Sequence, residues 1–176
     1  MKLRIRKIGE LIKLDEKRNS KNIVNNNLGI NIFKNFIPSI ANLSETDLSR
    51  YKIINYDNFA CNIMHVGRDE KLPIALYKSK IPALVSPAYK VFSVKNKEEL
   101  IPEYLMIFFH RSEFDRLTWY FCDSSVRGGL DWDRFKEIEI PVPEKIQDQQ
   151  KYVDIYQNLI KNQKSHEESL SHLEFI

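Results

Sequence analysis

Only two cysteines, Cys61 and Cys122, occur in the chain, each in an apolar stretch and neither in a metal-spaced pair. That excludes a disulfide scaffold or a zinc ribbon and predicts two reduced, buried thiols in a cytoplasmic protein. The histidines, His65, His110, His166 and His172, do not fall at zinc-ligand spacing either. The longest apolar stretch, around Tyr104 to Phe109, is too short to span a bilayer. The charged start, Met1-Lys2-Leu3-Arg4, lacks the apolar centre of a signal peptide, so no membrane contact is expected. Glycine is scarce, 5 in 176 residues, and builds neither a nucleotide fingerprint nor a P-loop. Ser124-Ser125 lacks the Gly-x-Ser-x-Gly frame of a serine nucleophile, and no Asn-Pro-Pro-Tyr-type segment for amino methylation is present. Charge of one sign is also missing, with 27 Lys+Arg against 24 Asp+Glu and a net charge of +3.

What the chain does have is an asymmetry. Acidic residues are sparse between Lys17 and Lys97, where basic residues and Asn dominate, whereas the C-terminal segment is closer to balanced. Ile138 to Pro143 carries two prolines, each fixing φ and removing a backbone donor, which forbids helix there. From Lys145 to Leu173 there is neither Gly nor Pro, so about thirty residues can form one helix of roughly 45 Å. The expected architecture is α+β: a compact, mixed, β-rich body over residues 1–143, then a long C-terminal helical arm over residues 144–176.

Within the body, Ile5 to Leu14 fits a strand or a short helix, and Lys17 to Asn27 a polar loop whose Asn residues favour turns. Pro38 points to an edge or loop for Leu28 to Ile40. Tyr51 to Val66 predicts two strands around an Asp57-Asn58 turn. Leu72 to Tyr77 and Ala83 to Val94 predict two more, with Ala88, Val91 and Phe92 in the core and Lys90 and Lys95 facing out. Between Lys97 and Cys122, Leu100, Tyr104, Leu105, Phe108, Phe109, Leu117 and Tyr120 recur at helical spacing, with Pro102 placed for a first turn. Asp131 is placed to cap a short helix to Glu137.

Along the arm, a heptad places Gln149, Tyr156, Gln163 and Leu170 at a, and Tyr152, Leu159, His166 and Leu173 at d, with Val153 and Ile160 widening the stripe. Polar seam residues cost stability and fix register, which suits a partner helix. The alternative is a terminal helix packed back on its own body.

Catalytic chemistry finds little support. Asp123, Asp131 and Asp133 could hold Mg²⁺ for a small nuclease, but Glu137-Ile138-Glu139 lacks the lysine such a site needs, and helix capping accounts for these aspartates. No cofactor or metal is expected. Basic residues in turns fit DNA better, because Lys and Arg neutralise phosphates while Asn, Gln and Arg read base edges. The candidate DNA contacts are Arg68, Lys71, Lys78, Lys80, Lys90 and Arg127, with Gly128 and Gly129 allowing close approach of a phosphate.

Several segments, in order, resemble a known family. Phe36-Ile37-Pro38, then Leu48-Ser49-Arg50-Tyr51-Lys52, then Val85-Ser86-Pro87-Ala88-Tyr89-Lys90-Val91-Phe92 are similar to the target recognition domain of type I restriction-modification specificity subunits. Ser125-Val126-Arg127, Ile138 to Pro143 and Gln149-Gln150-Lys151 resemble that domain's end and the start of its spacer helix; Asp148-Gln149 stands where the family has Glu-Gln. The resemblance implies a non-catalytic reader of double-stranded DNA that directs methyltransferase and restriction subunits to a split target. With one recognition domain and one helix, the chain is like half such a subunit. It would pair through Tyr152, Tyr156, Leu159, Ile160, Gln163, Leu170 and Leu173 with a second copy or another half. A recognition module of a type II-like enzyme, or a scaffold whose body binds nothing, are the competing readings.

Overall fold

The computed structural model describes residues 1–39, 46–64, 66–122 and 128–173, with residues 172 and 173 described by backbone only. His65, Asp123, Ser124, Ser125 and Arg127, all singled out above, lie outside the described residues.

Ile8 and Leu11 are both buried, and a spacing of three places two side chains on one face of a helix but on opposite faces of a strand. Accordingly the first apolar stretch is neither one strand nor one helix. It runs β1 (Leu3–Lys7), one helical turn α1 (Ile8–Leu11) and β2 (Ile12–Leu14). Next come the hairpin β3 (Leu28–Ile30) and β4 (Phe36–Pro38), then a 3₁₀ turn at Leu48–Arg50. The remaining strands and helices of the middle section are β5 (Lys52–Ile54), β6 (Phe59–Cys61), α2 (Val66–Asp69), β7 (Ile74–Leu76), β8 (Ala83–Val85) and β9 (Lys90–Val94). The chain ends with α3 (Pro102–Phe109), α4 (Ser112–Tyr120), α5 (Trp132–Glu137), β10 (Glu139–Pro143) and α6 (Ile146–Leu173).

A four-stranded antiparallel sheet, ordered β2–β9–β6–β7, is covered on both faces. Because successive side chains on a strand alternate, Phe59, Cys61, Ile74 and Phe92 enter one core while Ala60, Ala75 and Val91 enter another. The first core is aromatic: Phe59 stacks on Phe92 at 5.0 Å, and Phe109 meets both edge-on. Phe59, Phe92, Phe109, Phe114 and Phe135 are almost wholly buried, and each such burial contributes about 1.5–3 kcal/mol. The second core is smaller, with Ile30, Ile54, Ala83 and Val85 from the flanking β3–β4 and β5–β8 pairs.

Several sequence expectations need correction. Ala83 to Val94 is two strands in different sheets, split by a Ser86–Tyr89 turn, and Ala88 is exposed rather than core. Proline at position 87 supplies the fixed φ such a turn needs. Asp57 does turn, at φ 65, but β5 and β6 part into different sheets instead of pairing. The helical segment breaks at Arg111, whose extended backbone (ψ 139) separates α3 from α4, so Tyr120 is 78% exposed. Cys61 is buried but Cys122 is only partly so.

The arm begins where β10 ends. Among the described residues β10 pairs only with β1, Leu3 opposite Pro143 and Ile5 opposite Pro141. Its free edge needs no amide, so prolines are tolerated there. Helix α6 is 28 residues long, about 42 Å. Gln149 and Val153 are buried against the body. From Gln157 to Ser171 every side chain is exposed. Among the described residues, no helix is long and apolar enough to cross a membrane.

Candidate nucleic-acid interface

Four of the candidate DNA contacts converge on α2. Arg68 extends into solvent and grips the Asp69 carboxylate, Nε to Oδ1 at 2.7 Å and Nη2 to Oδ2 at 3.1 Å. That hydrogen bond raises the Arg68 pKa and offsets part of its charge. The Lys71 ammonium lies 5.9 Å from the centre of the Phe33 ring. Gly67 packs backbone to backbone on Gly128, its N–H donating to the Gly128 carbonyl at 2.7 Å. A Cβ on Gly128, at φ +55, would sit 2.7 Å from the Gly67 Cα. The close approach that glycine permits is thus taken up by Gly67 within the chain. Gly129 is less constrained, a Cβ there meeting the Ile63 carbonyl at 3.7 Å.

The other candidates sit elsewhere. Lys78 donates to Asp57 Oδ1 at 2.7 Å and to Glu103, and its ammonium lies 4.3 Å from the Tyr56 ring centre. Burial works against its charge, but these partners outweigh burial and raise its pKa. Lys97 holds the second Asp57 oxygen at 2.5 Å, so this network is internally neutralised. Lys78 also borders a cleft of about 210 Å³ between body and arm, together with Lys34, Glu103, His110 and Tyr156. Lys80 stands exposed in the turn before Pro82. Lys90 opens β9, 6.0 Å from the Trp132 ring centre.

A buried ion pair went unnoticed in the sequence. Lys34 Nζ donates to Asp115 Oδ1 at 2.6 Å and to the Leu72 carbonyl at 2.9 Å, tying the β3–β4 hairpin to α4. Burial lowers the Lys34 pKa despite Asp115. Eighty-one positions separate the two residues, so no local pattern signals the pair. Asp131 does cap α5, its Oδ1 accepting from the amides of Asp133 and Arg134 at 2.8 and 3.0 Å.

On the arm the heptad seam divides between two surfaces. Gln149 is wholly buried, accepting from the Ile101 amide at 2.9 Å and donating to the Glu99 and Pro143 carbonyls at 2.8 and 3.1 Å. Tyr156 stacks on His110 at 5.9 Å and Tyr152 meets Tyr104 at 6.2 Å. Burial, then the Lys34 charge, lowers the His110 pKa. Leu159, Ile160, Gln163 and Leu170 face solvent, and Ile155, absent from the sequence reading, is 58% exposed beside them. The Leu173 side chain lies outside the described residues. The arm therefore packs back on the body up to Tyr156, and its side chains from Gln157 to Ser171 are exposed.

This body, with a helix leaving it beyond a proline-bearing strand, matches the family model for the type I restriction modification DNA specificity domain over residues 3–174. The chain belongs to that family. The specificity domain is similar in fold to the HsdS subunit from Thermoanaerobacter tengcongensis, at 16% identity and a TM-score of 0.63, over 93% of this chain and 43% of that one. It is likewise similar to the type I restriction-modification S subunit from M. genitalium, at 15% identity and a TM-score of 0.55, over 99% of this chain and 43% of that one. A chain from the type I R-M system solved for its complex assembly and conformational transition aligns at 11% identity and a TM-score of 0.60, over 93% of this chain and 39% of that one. The specificity domain thus spans less than half the length of the solved chains it matches. No curated protein matches it.

Proposed function

We propose that this chain reads a DNA sequence, without chemistry of its own, as the specificity part of a type I restriction-modification system. In this reading residues 1–143 form the DNA-reading body and residues 144–176 a spacer that meets another helix, from a second copy or a second specificity segment. Methyltransferase and restriction subunits are the expected recipients of that reading. The observation that carries it is the family match across residues 3–174, which takes in body and arm alike. The full exposure of the arm beyond Tyr156 supports a partner for it, since Leu159, Ile160 and Leu170 are 60%, 48% and 61% exposed. The surface around α2, with Arg68, Lys71, Gly128 and Gly129, is one proposed contact with DNA. Lys78, Lys80, Lys90 and Arg127 remain proposals too, Lys78 requiring release from Asp57 and Glu103.

Selection of bound duplexes from a randomised pool at low salt tests this. An enriched motif in two symmetric halves indicates sequence reading by a paired protein, and one half-site indicates reading by a single copy. No enrichment, repeated with a methyltransferase subunit present, would overturn sequence reading.

A further inference from the structure

The loop between β2 and β3 is irregular yet firmly built. Asn19, 2% exposed, fastens it from within. Its Oδ1 accepts from the amides of Ile23 (3.1 Å) and Val24 (3.2 Å), and its Nδ2 donates to the carbonyls of Val24 (2.9 Å) and Leu48 (3.4 Å). The Asn19 amide donates to Tyr51, the Ile53 amide to Lys17, and Asn22 turns the chain at φ 49. On this backbone Lys17, Arg18 and Lys21 stand exposed. They line a cleft of about 360 Å³ whose far wall includes Ile53, Asn55 and Pro82.

Two features distinguish this cleft. Among the described residues no carboxylate is in its wall, whereas three other clefts carry Glu103, Glu144 with Asp148, and Asp133 with Glu137. Moreover, among the described residues none of the three cationic side chains holds a carboxylate in an ion pair, although the Arg18 charge reaches Glu16 and helps lower its pKa, while Arg4, Arg6, Lys7, Lys52 and Lys97 all hold carboxylates. Like charges so close repel one another, and an external polyanion relieves that repulsion while releasing its own counterions. The amides of Asn22, Ile23 and Val24 are spent inside the loop and that of Asn19 on Tyr51. They are therefore not available as an amide nest for a small free phosphate. What is offered is a row of long cationic side chains. Ile23, 75% exposed in the cleft wall, and Ile81, 71% exposed beside Pro82, are apolar surface that a seated duplex would cover.

We propose that this cleft seats the sugar-phosphate backbone of duplex DNA, with Lys17, Arg18 and Lys21 each neutralising a phosphate. The inference rests on the DNA-reading function above and adds an anchoring surface to it. Phosphate contacts set register and orientation without carrying sequence information.

The test compares the whole chain with its Lys17→Gln/Arg18→Gln/Lys21→Gln variant, measuring affinity for a random-sequence duplex from 50 to 200 mM salt. Each lost phosphate contact flattens the log–log slope by about 0.9, so the triple variant's slope is shallower by about 2.7. Over that salt range the unmodified protein then loses about 40-fold more affinity than the variant. Lys161→Gln/Lys164→Gln on the arm removes charge elsewhere and leaves the slope unchanged. Lys21→Gln alone, whose side chain bonds nothing among the described residues, flattens the slope by about 0.9 and guards against misfolding of the triple. Equal slopes in the unmodified protein and both cleft variants would overturn the anchoring role while leaving DNA reading intact. Failure of the unmodified chain to bind any duplex, alone or with a methyltransferase subunit, would overturn both. Loss of pyrophosphate binding in the triple variant, with its duplex slope unaltered, would overturn the duplex assignment in favour of a small-anion site.

Discussion

Replacing Gln149 probes how the arm is joined to the body. Its amide makes three hydrogen bonds, at 2.8, 2.9 and 3.1 Å, to groups on two segments: Glu99 and Ile101 just before α3, and Pro143 at the end of β10. A net value of about 1 kcal/mol per bond gives roughly 3 kcal/mol for Gln149→Ala. Water entering the vacated space lowers that figure and packing lost around Val153 raises it, so about 2–4 kcal/mol is expected. Urea unfolding followed by circular dichroism measures it, and amide exchange over residues 146–157 should accelerate. Gln149→Glu sharpens the test, because it keeps the acceptor for Ile101 but aims a carboxylate oxygen at two carbonyls. That environment raises the folded-state pKa of the new carboxyl above its unfolded value of about 4.3. Its contribution is then most favourable below the unfolded value and is lost as pH rises through the folded one. Relative to the unmodified protein, Gln149→Glu should therefore be milder at pH 4 than at pH 7. A Gln149→Ala cost under about 0.5 kcal/mol, or a Gln149→Glu penalty independent of pH, would refute this account of the joint.

Three further outcomes follow from the geometry. Gly128→Ala places a Cβ 2.7 Å from the Gly67 Cα at φ +55. It should cost more than about 2 kcal/mol, whereas Gly129→Ala, at 3.7 Å from its nearest neighbour, stays under about 1 kcal/mol. Equal unfolding midpoints would contradict the close packing. At Asp57, burial alone would raise the pKa, but hydrogen bonds from Lys78 and Lys97 outweigh it and the net shift is downward. A depressed folded value gives stability that is present above the unfolded pKa of about 3.9 and lost as pH falls through the folded one. Asn tolerates the φ of 65 there, so Asp57→Asn should flatten the acid limb of a stability–pH profile; an unaltered limb would count against the network. Finally, Leu159→Asp, at an exposed position, should leave monomer stability within about 0.5 kcal/mol while lowering the oligomeric mass. Tyr156→Asp should instead loosen the arm from His110. If mass measured by light scattering is unchanged by Leu159→Asp, the partner-helix role of that face fails.

Local signals carried the reading where physics is local. The absence of Gly and Pro after Pro143, the cap at Asp131, the proline opening α3 and the asparagine turns all act within a few residues of themselves. They appear in the structure as the 28-residue α6, the α5 cap and the left-handed Asn22. The order of short motifs along the chain pointed to the specificity-domain family, and the match over residues 3–174 agrees.

Periodicity alone misled at Tyr120 and Ala88. A helical or strand repeat fixes which residues share a face but not which face meets the core. The heptad was divided for the same reason: Gln149 and Val153 turn to the body and Leu159 and Leu170 away from it, a choice made by what α3 and β10 present. Long-range pairings were beyond sequence altogether. Lys34 with Asp115, Gly67 with Gly128, and Asp57 with Lys78 and Lys97 are each brought together by chain closure. Basic residues look alike in a sequence, yet Lys78 spends its charge on carboxylates while Lys17, Arg18 and Lys21 stand exposed with no ion pair among the described residues. Thus composition and local chemistry determined a β-rich body, a long arm and a family. Only tertiary structure decided which charges are free and which face of the arm is open, because both depend on neighbours distant in the chain.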